Sequence, residues 1–70
     1  MFKNLKAEMS RAGYDYKTLA QKMNINEVTF SRKIKGKTDW KVTEMTEVQR
    51  IINKELGTSY TLDYLFDKSL

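Results

Sequence analysis

Apolar residues recur along this chain at three- and four-residue intervals, in stretches that stop at Gly13, Gly36 and Gly57. No segment alternates with period two. That rhythm leaves helices and excludes a sheet. Phe2, Leu5, Met9 and Ala12 predict a helix over about residues 3 to 12, with Lys3, Lys6, Glu8 and Arg11 outside its apolar stripe. Gly13 then ends it. Asp15 is placed to cap a second helix, about 16 to 23, whose inward face is Leu19, Ala20 and Met23. Asn24-Ile25-Asn26 interrupts the pattern. Asn tolerates the left-handed backbone of a tight turn, and Asn26 is also a good N-cap. A third helix over about 27 to 35 turns Phe30 and Ile34 inward, and Gly36 stops it.

A polar loop from Lys37 to Val42 carries one core-type residue, Trp40. Thr43 is the expected N-cap of a fourth helix. Its stripe is Met45, Val48, Ile51, Ile52 and Leu56, and Gly57 is its stop. Leu62, Leu65 and Phe66 predict a short fifth helix over about 61 to 67. The expected fold is therefore all-α, a compact five-helix bundle in one domain spanning residues 1–70. Seventy residues enclose one small core.

The chain has no Cys, no His and no Pro. Thiolate and imidazole nucleophiles, bases and metal ligands are therefore missing. No catalytic residue, no metal, no cofactor and no small-molecule ligand are expected. Glu44, Glu47 and Glu55 share one helix with Arg50 and Lys54 and read as a solvated face, not a metal site. No apolar run is long enough to cross a membrane, and Met1-Phe2-Lys3-Asn4-Leu5 lacks the apolar region of a secretory signal. The expectation is an intracellular domain that binds a partner.

Charge says what kind of partner. Up to Lys37 there are nine bases and three acids, a net of +6. The remainder has four bases and six acids, a net of −2. Five bases crowd between Arg32 and Lys41. A basic segment beside an acidic one points to a face that meets an anion.

Two short helices joined by a three-residue turn, the second basic, are the parts of a helix-turn-helix. Ala20 supplies the small residue at the crossing and Asn24 the left-handed turn position. The stretch from Leu19-Ala20 through Arg32, followed by Gly36-Lys37, resembles the Cro and phage-repressor type of helix-turn-helix, the xenobiotic-response-element family. The resemblance covers the whole chain, and the length is close to that of a complete Cro-like protein. Asn24 replaces the usual turn Gly. Lys33 stands where an apolar residue is common, with Ile34 taking the inward role one residue later.

The resemblance implies a lambda-repressor-like fold and a double-stranded DNA partner, with the helix over 27–35 in the major groove. With Phe30 set inward, an advance of 100° per residue puts Val28, Arg32 and Lys35 on the opposite face, flanked by Ser31 and Thr29. Asn26 and Glu27 form the leading tip, where capping is the favoured role of Asn26. Arg32 suits guanine O6 and N7, Glu27 suits cytosine N4, and Val28 suits a thymine methyl. Tyr16, Lys17, Gln21, Lys35 and Lys37 are the expected phosphate contacts, with Ser31 suited to base or phosphate. Lys33 is counted with Arg32 and Lys35 as part of that basic face.

The family further implies a repressor acting as a weak homodimer, strengthened on a near-palindromic operator, in the cytoplasm of a bacterial cell at the nucleoid. Tyr60, Leu62, Tyr64 and Leu70 are the apolar residues expected either at the dimer interface or in the monomer core. The competing reading is a protein-interaction module or antitoxin-like regulator with the same fold, whose reading face would be acidic or apolar.

Overall fold

A computed structural model of the chain describes residues 1–68, so Leu70 lies outside the described residues. Five helices follow in order: α1 (Lys3–Ala12), α2 (Tyr16–Lys22), α3 (Glu27–Ile34), α4 (Val42–Leu56) and α5 (Leu62–Leu65). Among the described residues there is no strand. Helices pack closely in two sets: α2 on α3, and α1 with α4 and α5.

Local chemistry sets the boundaries. Asp15 Oδ1 accepts the Thr18 N–H at 2.8 Å, while the Asp15 N–H donates to Thr18 Oγ1 at 2.9 Å, a reciprocal capping box. The Thr18 backbone and hydroxyl bonds hold the Asp15 carboxyl below its ordinary value. Asn26 Oδ1 accepts the Val28 N–H at 2.7 Å and caps α3. Between the caps, Asn24 adopts φ 59° and the Ile25 N–H returns to the Ala20 carbonyl at 3.0 Å, closing α2.

The core is Phe2, Leu5 and Met9 from α1 and its cap, Leu19 and Ala20 from α2, and Phe30 and Ile34 from α3. Val48, Ile51, Ile52, Leu65 and Phe66 complete it. Trp40 joins the two sets of helices. Its ring meets Phe30 at 5.6 Å, Phe66 at 5.0 Å and Phe2 at 6.3 Å between centroids, edge-on in each case. Its buried indole nitrogen has no hydrogen-bond partner among the described residues, and these aromatic rings pack around it. Phe2 holds a left-handed backbone at φ 56°, unusual for a bulky residue, because its ring is fixed against Trp40 and Phe66.

Several sequence expectations need correction. Helix α4 begins at Val42, not after Thr43, because Glu44 Oε1 reaches back to the Lys41 N–H at 2.9 Å and caps from inside. Helix α5 is shorter than expected; Thr61 is its N-cap, with Oγ1 accepting the Tyr64 N–H at 3.1 Å. Glu8, outside the apolar stripe of α1, is nonetheless only 1% exposed, accepting from the Tyr64 hydroxyl at 2.7 Å and pairing with Arg11 at 3.4 Å. Lys33 is also buried, alongside Ile34 rather than instead of it. Its ammonium pairs with Glu44 at 2.9 Å, so neither residue belongs to the solvated faces expected for them.

Candidate nucleic-acid interface

Helix α3 is built two-sided. Phe30 and Ile34 are fully buried, and the ring of Tyr16 from α2 packs edge-on against Phe30 at 5.9 Å. With that side anchored, Glu27, Val28 and Arg32 are left exposed and Ser31 half-buried on the outer side. These four line one open groove together with Tyr16. Lys35 and Lys37, just beyond the end of α3, complete its lining. Seven of the ten residues singled out from the sequence thus converge on a single concave surface.

The charges of this surface are free. None of Arg32, Lys35 and Lys37 has an ion-pair partner among the described residues, whereas Arg50 is held by Glu47 at 2.7 Å. Val28 is 58% exposed amid these polar neighbours. Lys37 is held close to α3 by its own backbone, whose N–H donates to the Arg32 carbonyl at 2.9 Å.

The remaining three residues fall around this groove. Lys17 lines an adjoining groove between α1 and α2, and Gln21 is exposed on α2 without lining either groove. Asn26 is exposed at the tip, but its Oδ1 is engaged as the α3 cap. Among the residues that the adjoining groove adds to the sequence-based set are the exposed polar Lys6 and Ser10 of α1. Both grooves share Tyr16 and Glu27, so the α1 residues extend the same surface. Their spacing, with Lys3, as an exposed helical stripe was the available signal.

Lys33 is not part of this surface. Its ammonium donates to the Asp39 carbonyl at 2.9 Å as well as pairing with Glu44. Burial works to raise the Glu44 carboxyl, but the Lys41 N–H and the Lys33 ammonium outweigh it and hold the carboxyl low.

Of the residues expected at a dimer interface, Tyr60, Leu62 and Tyr64 lie in α5 or just before it. Tyr60 and Leu62 are half-buried and pack against the core, which is the core role left open for them. Tyr64 is 38% exposed and stacks on Tyr60, with centroids 5.0 Å apart. Among the described residues no group of His, Cys, Asp and Glu could hold a metal ion, and no helix is long and apolar enough to cross a membrane. Compared with known proteins, the chain matches no family model, no curated protein and no solved structure.

Proposed function

We propose that this chain is a sequence-specific double-stranded DNA-binding transcriptional regulator of the Cro-like repressor type. The observation that carries the reading is the groove on α3. It combines an unpaired guanidinium, a carboxylate, a hydroxyl and an exposed valine on one face of one helix, with unpaired ammonium groups at its end. That mixture suits base edges in the major groove, where donors, acceptors and thymine methyls are all read. A surface serving only phosphates would not need Val28 or Glu27.

In this reading Arg32 donates to guanine, Glu27 accepts from cytosine and Val28 packs on a thymine methyl. Tyr16, Lys17, Gln21, Lys35 and Lys37 hold the backbone and set the register. Neutralising about four to six phosphates per protomer gives a slope of log K against log[salt] of about −4 to −5. The stacked Tyr60–Tyr64 pair, with Tyr64 exposed, is the surface through which two copies would pair weakly on a near-palindromic operator. The site of action is then bacterial DNA in the cytoplasm.

Selection of bound sequences from a random duplex library tests the reading. The expected result is an enriched motif with two half-sites about one helical turn apart. Failure to enrich any motif, with the protein folded, would overturn it. A protein-interaction role predicts that outcome.

A further inference from the structure

Lys33 and Glu44 form the one ion pair among the described residues in which both side chains are largely removed from solvent, at 5% and 18% exposure. Three bonds converge there. Lys33 Nζ reaches Glu44 Oε1 and the Asp39 carbonyl, each at 2.9 Å. Glu44 Oε1 also accepts the Lys41 N–H at 2.9 Å. On the near side of the loop, the Lys37 N–H donates to the Arg32 carbonyl at 2.9 Å. The segment from Lys37 to Lys41 is therefore pinned at its start by backbone and at Asp39 and Lys41 by this pair of side chains.

A buried pair of this kind is a poor source of stability, since apolar residues of similar volume often do as well. What apolar residues cannot do is bind a carbonyl and an N–H of the loop. Helices α3 and α4 have no close backbone packing of their own, so these side chains are the polar link between them. Lys37, one of the free cations of the α3 groove, sits inside the segment so held.

We infer that Lys33, through Glu44, is a positioning residue for the DNA-binding surface: it touches no DNA and holds the 37–41 loop so that Lys37 meets a phosphate. The inference rests on the DNA-binding reading above and deepens it. It accounts for a lysine at a position of α3 where the surrounding packing would take an apolar side chain.

The test has two arms on the full chain. The first needs no DNA. Amide hydrogen exchange is followed at Lys37 and Lys41 in the wild type, Lys33→Met and the Lys33→Met/Glu44→Met double variant. Exchange faster by about tenfold at these amides, with the α1 and α4 core amides unchanged in the double variant, is expected. Unchanged protection at both amides in both variants overturns the inference, whatever DNA does. The double variant keeps the test open should Lys33→Met alone fail to fold, because it removes the unpaired carboxylate.

The second arm measures the salt dependence of binding to a selected duplex. Lys37→Ala is expected to reduce the slope by about 0.9, one phosphate. Lys33→Met is expected to reduce it by the same amount, and the Lys33→Met/Lys37→Ala variant by no more than either. Glu44→Gln, which keeps an acceptor for Lys41 and Lys33, is expected to retain the wild-type slope. Additive loss of about two phosphates would make Lys33 a contact in its own right and overturn the inference. A wild-type slope in Lys33→Met would also overturn it. Absence of duplex binding by the wild type overturns the DNA reading instead, and the positioning role with it, while leaving the exchange result to report the loop tether alone.

Discussion

The α2–α3 pair and the α1–α4–α5 set are stabilised in opposite ways. In α2 and α3 the polar bonds are local, Asp15 with Thr18 and Asn26 with Val28, apart from those of the buried Lys33 to Glu44 and Asp39. The helices are short, seven and eight residues, and their outward cations have no ion-pair partner among the described residues. In the other set, polar side chains reach across the sequence. Asn4 Nδ2 donates to the Tyr64 carbonyl at 2.9 Å, the Tyr64 hydroxyl to Glu8, and Gln49 and Asn53 both donate to the Tyr60 carbonyl at 3.0 Å. Local capping leaves a surface free for a partner; long-range tethering consumes the polar groups that a partner would need.

Phe30→Ala has the largest expected effect, because the residue belongs to α3 yet touches Trp40 between the two sets. A loss of about 3–5 kcal/mol is expected in denaturant unfolding. Trp40 fluorescence and far-ultraviolet circular dichroism should still report one transition. Two separated transitions would make the sets independent units. Glu8→Ala comes next, at about 1–3 kcal/mol, because it strips the acceptor from the Tyr64 hydroxyl and opens the α1–α5 contact. It should leave DNA specificity unchanged; a changed operator preference would break the division of labour.

Arg32→Ala should reverse that pattern. Its stability should match the wild type, while binding weakens by about 1–3 kcal/mol and base preference relaxes at one operator position. An identical selected motif would remove Arg32 from base reading. Asn26→Ala should cost about 1 kcal/mol of stability through the α3 cap alone, read by thermal unfolding.

The smallest expected effects lie in the pH profile. The Asp15 and Glu44 carboxyls lie below their ordinary values of 3.8 and 4.5. Their contribution is present above those values and lost as pH falls through the lower folded ones. The Tyr64 phenol is raised above 10.0, first by its hydrogen bond to Glu8, so its contribution is present below that value and lost as pH rises through the folded one. Asp15→Asn should flatten the acid limb of a stability–pH curve, and Tyr64→Phe the alkaline limb. Exchange of those two effects would contradict the assignment.

Much of the fold was legible because its signals act within a turn or two of chain. The bounds of α1 match the stripe from Phe2 to Ala12 and the stop at Gly13. The Asp15 and Asn26 caps and the left-handed Asn24 followed from side-chain size and short-range hydrogen bonding. The groove residues were legible for the same reason, since fixing Phe30 inward fixes the opposite side of a helix this short. Thr43 failed as a cap because Glu44 offered a better bond from inside the helix, a competition that a residue's capping preference does not encode.

Five helices, their order and the free side of α3 follow from signals within the chain. Helical periodicity and capping are local properties, and they carry that much. The fate of Glu8 and Lys33 depends instead on long-range packing. Both are charged and read as surface residues. Each is buried because a partner arrives from elsewhere in the chain, Tyr64 for one and Glu44 for the other. A side chain's hydrogen-bonding capacity is written in the sequence, but the neighbour that makes burying its charge tolerable is supplied only by packing.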